Sequence, residues 1–181
     1  MKKNNYIKPK MTKNVMINTT NPFEKFLQNQ RFSRVKKHIK GDVMDFGGNE
    51  GELKPFVTGK YLVVNYDHSV LKKHQFDTII ALAVVEHIKY KTVFEIFKKL
   101  TSQHLRKGGR VFLTTPTPAS KPVLEALAAV HILEKQNIDE HEHYWTEKEL
   151  RLLAKKNGLK VLKYKKFQIG FNQEILLEKV E

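Results

Sequence analysis

The sequence predicts an α/β protein organised around a mostly parallel β-sheet that finishes in a terminal antiparallel hairpin. Three observations carry this. The short and almost purely apolar segments Val43–Phe46, Tyr61–Val64, Thr78–Val85 and Arg110–Thr115 read as strands buried on both faces. Stretches with helical spacing lie between them, and parallel strands need such crossovers. Leu159–Phe167 and Asn172–Val180, on either side of Gly170, read as a closing antiparallel pair.

Residues 1–20 have no apolar period and many polar side chains, so they are expected to form a flexible basic arm, leaving 21–181 as one domain. Asn21 followed by Pro22 is a helix start, and Phe23, Phe26, Leu27, Val35 and Ile39 continue a helical stripe to about Lys40. Gly47-Gly48 ends the first strand, after which Glu50–Val57 is expected to form a short helix. Val93, Ile96, Phe97 and Leu100 share one face of a helix between the third and fourth strands. Lys121–Gln136 reads as a helix that is apolar nearly all round, either a core helix or a lid over a hydrophobic ligand. Thr146 and Glu149 have capping-box spacing, Leu150, Leu153 and Ala154 recur helically, and Asn157-Gly158 is the stop.

With 181 residues, 40% of them hydrophobic, the chain can bury a core without covalent staples. Cysteine is absent, which excludes disulfides, thiolate metal sites and cysteine nucleophiles. The longest apolar run, Ile79–Val85, is far too short to cross a membrane, and a cytoplasmic location is expected. Charge is the outlier at +14. Residues 1–40 hold 11 Lys or Arg against one acid, Glu24, whereas the remainder holds 22 against 18. Residues 1–40 are thus the place where RNA, anionic head groups or an acidic partner would dock, although no aromatic residues interleave the lysines as a base-stacking platform would require. A solvated tail is the plain alternative.

The most informative segment is Val43–Gly51, VMDFGGNEG, in which an acid-bearing strand passes through glycines towards a helix. Residues without Cβ are needed where a ligand approaches a tight strand-to-helix turn. Asp67 lies about 20 residues beyond Gly47, as in dinucleotide-binding folds, but the G-G-x-x-G spacing departs from G-x-G-x-x-G. Asp45 separates the two readings. A carboxylate there would repel a pyrophosphate and suits a cofactor bearing an ammonium or sulfonium cation.

On these residues the chain resembles the class I S-adenosylmethionine-dependent methyltransferases, from about residue 22 to 180. VMDFGGNEG is similar to the family's first motif, with Asn49 in place of its central glycine. VNYDHS resembles the second-strand motif, FDTIIALAVVEHI the fourth-strand motif of the small-molecule branch, LRKGGRVFLTTPTP the fifth, and HYWTEKELRLLAKKNGLKVL the helix and sixth strand. The resemblance implies a Rossmann-like methyltransferase fold, S-adenosylmethionine as cofactor, and a small-molecule acceptor. It implies cofactor contacts from Asp45, Gly47, Gly48, Asn49 and Gly51 near the methionine moiety and from Asp67 on the ribose, with Asn65 as the alternative. Ala83 and Val84 would contribute backbone past the fourth-strand motif, with Glu86 nearby or simply a helix-start acid. Val70–Gln75 is too short for the family's third strand, which is expected to be reduced or missing.

Methyl transfer asks the protein for alignment and, with a hydroxyl or acidic C–H acceptor, a base. His141 and His143 in HEHYW are the candidate bases, and structural loop histidines are the alternative. No metal ligand set is assigned, because no HExxH or carboxylate cluster accompanies them. His87 and His131 read as structural. Pyrimidine C5 methylation through a thiolate is excluded without Cys. Exocyclic-amine DNA methylation in relatives uses an Asn- or Asp-Pro-Pro-aromatic tetrapeptide where this chain has AVVEH, and no catechol-type acid cluster is present. Three functions therefore stand: a small-molecule O- or C-methyltransferase, an RNA methyltransferase docking through residues 1–40, or a degenerate cofactor-binding module.

Overall fold

The computed structural model describes residues 22–48, 52–65, 74–129 and 140–180. The predicted arm, the Asn21 cap, Asn49, Gly51, Asp67, His131 and residues 130–136 of the apolar helix lie outside the described residues.

The six strands are β1 (Val43–Phe46), β2 (Tyr61–Val64), β3 (Phe76–Leu82), β4 (Leu105–Pro116), β5 (Leu159–Phe167) and β6 (Asn172–Lys179). They form one sheet in the order β2-β1-β3-β4-β6-β5. β1 pairs parallel with β2 and β3, and β3 pairs parallel with β4, whereas β6 runs antiparallel to both β4 and β5. This is the mixed sheet the sequence predicts, and among the described residues no strand lies beyond β2. Strand order reverses between β1 and β3, so the crevice at their carboxyl ends is the switch point where open α/β sheets take their ligands.

The helices are α1 (Pro22–Val35), α2 (Tyr90–Lys99), α3 (Lys121–Ala129) and α4 (Glu147–Lys156). Val35 of α1 packs with Val43, Leu53, Ile80, Phe112 and Leu176 on one face of the sheet. On the other, Val93 and Phe97 of α2 and Leu150, Leu153 and Ala154 of α4 pack with Met44, Ile79, Val111, Leu113, Leu177 and Trp145. Alternate residues of a strand face opposite sides, so Val43 and Met44 serve different clusters. Thr146 caps α4 with the full predicted box, its hydroxyl accepting from the Glu149 amide while the Glu149 carboxylate accepts from the Thr146 amide. Gly158, at φ +66°, turns the chain into β5.

An ion pair ties α1 to the hairpin. The Arg34 guanidinium donates to Glu174 Oε2 at 3.0 Å and Lys163 Nζ to Oε1 at 2.7 Å, while Arg34 Cζ lies 4.2 Å over the Phe167 ring. Burial alone would raise the Glu174 carboxyl, but Lys163 and Arg34 outweigh it and hold the group below the ordinary range. Arg34→Met retains Lys163 as a partner, so urea denaturation should show a loss of about 1 kcal/mol.

Several boundaries differ from expectation. α1 ends at Val35 and passes into a 3-10 turn at Lys36–His38. In place of a helix over Glu50–Val57, the described part holds only a 3-10 turn at Lys54–Phe56. The third strand stops at Leu82 rather than Val85, because Ala83 adopts φ +55°. The fourth begins at Leu105 rather than Arg110, since a register shift lets Leu105 pair with Phe76. The apolar side chains Val123, Leu124 and Leu127 of α3 are half-buried.

Candidate functional site

The first wall of the switch-point crevice is the turn after β1. Gly47 has φ +76°, where a side chain is strained, and its N–H donates to the Val64 carbonyl at 3.0 Å. A Cβ at Gly47 would lie 2.5 Å from Val84 Cγ2, and one at Gly48 would collide with the Asp45 carboxylate. The turn is therefore packed from within by Val84 and Asp45, while both glycines remain partly exposed.

Asp45 is 3% exposed, and the Tyr61 hydroxyl donates to its Oδ2 at 2.6 Å. Burial pushes its carboxyl up to about 6, opposed by the Tyr61 hydrogen bond and assisted by nearby Glu52. An acid so poorly solvated at the end of a ligand-binding strand gains most from a cation brought beside it.

The second wall follows β3. Ala83, left-handed without being glycine, donates its N–H to the Thr114 carbonyl at 3.0 Å. Val84 then turns inward against Gly47, and Val85–His87 form a 3-10 turn. Glu86 is buried in this turn, its Oε2 accepting from the Thr115 hydroxyl at 3.0 Å. Burial raises its carboxyl above the ordinary range, with His87 the first of the opposing influences. Glu86 is thus a buried acid in the first turn of this 3-10 segment.

The third wall is the loop carrying the candidate bases. The Glu142 and His143 amides donate to the Glu86 carbonyl at 2.8 and 3.1 Å, fastening the loop to the β3 turn. Trp145, fully buried, donates its indole N–H to the Val85 carbonyl at 3.2 Å and stacks on Tyr90 at 5.1 Å between centroids. His143 Nε2 lies 3.2 Å from Glu149 Oε1, and His141 Nδ1 lies 2.9 Å from the Tyr144 hydroxyl. Burial, with a smaller push from His87, lowers the His141 imidazole to about 4. Lys121 at the start of α3 stands 6.0 Å over the Tyr144 ring, so α3 borders the same loop.

Of the residues singled out by sequence, Asp45, Gly47, Gly48, Ala83, Val84, Glu86, His141 and His143 all fall on these three walls at one edge of the sheet. Asn65 is exposed at the end of β2, while Asn49, Gly51 and Asp67 lie outside the described residues. His87, Thr115 and Tyr144 belong to the site and were not singled out as functional. Their signal is tertiary: the His87 and His141 rings meet edge to face at 4.8 Å, although 54 residues apart.

The sheet, in the order β2-β1-β3-β4-β6-β5 with its antiparallel hairpin, is that of a Rossmann-like methyltransferase. A family model described as a methyltransferase domain matches residues 23–164, and the chain belongs to that family. Solved structures agree on the fold. A SAM-dependent methyltransferase from Archaeoglobus fulgidus aligns at 17% identity and TM-score 0.60, over 87% of this chain and 98% of that one. Magnesium protoporphyrin IX methyltransferase from Synechocystis PCC 6803, with bound SAH, aligns at 12% and 0.55, over 86% and 83%. The small RNA methyltransferase HEN1 aligns at 18% and 0.62, over 85% of this chain but 25% of that one. No curated protein sequence matches. The chain is a methyltransferase-domain protein, and no helix among the described residues is long and apolar enough to cross a membrane.

Proposed function

We propose that the chain methylates a small-molecule acceptor on a hydroxyl oxygen or an acidic carbon. The observation that supports this reading most directly is the pair of hydrogen bonds from the Glu142 and His143 amides to the Glu86 carbonyl, which bring a titratable imidazole to the cofactor edge of the sheet. When bound, S-adenosylmethionine supplies a methyl group on a sulfonium, open to in-line attack. Asp45 balances the cationic methionine moiety, the Gly47-Gly48 backbone lets it approach, Asp67 holds the ribose hydroxyls, and Asn49 and Gly51 are assigned to the methionine moiety as well. Ala83 and Val84 line the opposite wall.

Of the two histidines, His143 is the better base. Its Nε2 is oriented by Glu149, leaving the other ring nitrogen for the acceptor's proton, and the carboxylate stabilises the imidazolium that results. His141, pushed down to about 4, holds a proton poorly at neutral pH. The acceptor is a lipid-linked, quinone or saccharide compound, and α3 would serve as a lid over one that is partly hydrophobic.

Transfer of labelled methyl from the cofactor to hydroxylated small acceptors tests the reading. His143→Ala should lower kcat about a hundredfold while the cofactor Kd, read by calorimetry, stays within twofold. An unchanged kcat would remove His143 as the base.

A second reading, methylation of RNA, draws on the charge excess of residues 1–40 and on the likeness to HEN1. Under it, deletion of residues 1–20 abolishes RNA binding, and log Kd rises linearly with log salt at a slope of about 0.7 to 0.9 per phosphate contact. A flat salt response excludes it.

A further inference from the structure

We infer that Glu86, His87 and His141 form a divalent transition-metal site beside the cofactor crevice. Their ligating atoms lie within 4.8 Å of one another, although the chain holds no metal-binding spacing. The fold makes this cluster on purpose-built supports. Glu86 and His87 are consecutive in the 3-10 turn after β3, and the Glu142 and His143 amides fasten His141 over that turn through the Glu86 carbonyl.

Glu86 and His141 are each oriented by a neighbour. The Thr115 hydroxyl donates to Glu86 Oε2, and His141 Nδ1 is engaged by the Tyr144 hydroxyl, leaving His141 Nε2 to bind. Hydrogen bonds of this kind from the outer shell fix imidazole and carboxylate ligands in metal sites. An independent sign of a missing partner comes from His87, whose Nδ1 is buried without a hydrogen bond in the structure. A buried ring nitrogen left unpaired is costly, and a cation in this cluster satisfies it.

Two imidazoles and one carboxylate select borderline divalent ions, Mn²⁺, Fe²⁺, Co²⁺ or Zn²⁺, over Ca²⁺ or Mg²⁺, which prefer oxygen ligands. Three protein ligands leave coordination positions open. This deepens the proposed function and rests on it: the open position takes the acceptor's hydroxyl oxygen and lowers its pKa. His143 removes the O–H proton, the oxygen bonds to the methyl carbon as the S–CH₃ bond breaks, and S-adenosylhomocysteine leaves with the sulfur electron pair. The acceptor is then an alcohol or phenol rather than an acidic carbon.

The test uses Co²⁺ alone, with neither cofactor nor acceptor, on the full chain. We expect visible absorption bands from one nitrogen- and oxygen-bound Co²⁺ per chain. His87→Ala and His141→Ala should each weaken binding at least tenfold, while His143→Ala should change it less than twofold. Fluorescence of the single Trp145 reports whether each variant is folded, and His141→Phe and His87→Phe replace any alanine variant that is not. Co²⁺ affinity unaltered in folded variants at both positions overturns the proposal. Cofactor binding is titrated separately without metal. A chain that binds S-adenosylmethionine but not Co²⁺ refutes the metal site alone, and one that binds Co²⁺ without methylating any hydroxyl compound refutes only the acceptor reading.

Discussion

Asp45→Asn should make the protein more stable at pH 8, by up to about 3 kcal/mol, and at the same time lose most of its affinity for S-adenosylmethionine. The direction follows from burial. Asp45 titrates near 6 in the folded chain, against 3.8 for an ordinary aspartate, because water is excluded from its carboxyl. A raised folded value means that the associated stability is complete below about pH 4, where both states are protonated. It is lost as pH rises to about 6, because the unfolded chain ionises first. Roughly two units at 1.36 kcal/mol each set the size. Asn mimics the protonated acid and can still accept from Tyr61, so urea denaturation of the two proteins should coincide at pH 3.5, diverge between pH 4 and 6, and run parallel above. Under the proposed function the carboxylate serves the ligand. Binding of a cation requires the ionised form, so wild-type affinity should fall about tenfold between pH 7.5 and pH 5, whereas the weak residual binding of Asp45→Asn should be flat over that range. Equal cofactor affinity in the two proteins at pH 7.5 would show that Asp45 supports the turn without facing the cation.

That a buried acid sits under the glycine turn was legible from spacing alone, as was most of the sheet. Strands buried on both faces write their identity into consecutive apolar residues, and the α4 cap and the hairpin around Gly170 are local signals. The third strand's end was not legible. TIIALAVV continues apolar through Val85, and nothing in it marks Ala83 as the residue that leaves the sheet. The chain bends there because the Ala83 N–H finds the Thr114 carbonyl of β4 and Val84 finds the hollow beneath Gly47 in the turn after β1, contacts made by other parts of the sheet. The long fourth strand is similar, since Leu105 rejoins β3 only through a register shift whose bend places Gly108 at φ +71°. His87 looked structural for the same reason. Its meaning depends on His141, which a backbone contact at Glu86 delivers from the far side of β4 and α3.

The Val84 contact makes Gly47 intolerant of a side chain. Gly47→Ala should destabilise by about 2–5 kcal/mol, from two separable sources. The left-handed backbone contributes about 1–2 kcal/mol for any L residue, and the overlap with Val84 adds about 1–3 kcal/mol as overpacking in a dense core. Gly158 isolates the first source. It has a comparable φ of +66° and nothing within 4 Å of where its Cβ would stand, so Gly158→Ala should show the backbone effect alone. Val84→Ala isolates the second. Alone it loses packing, but in the Gly47→Ala background it removes the methyl groups that a Cβ meets at 2.5 and 2.6 Å. The double variant should therefore be more stable than the sum of the singles predicts, with a coupling energy of about 1–3 kcal/mol from a denaturation cycle. Strict additivity would mean that the turn relaxes away from Val84. In that case β1 and β3 do not define the cofactor cradle jointly, and the Gly47-Gly48 backbone would hold S-adenosylmethionine without a fixed opposite wall.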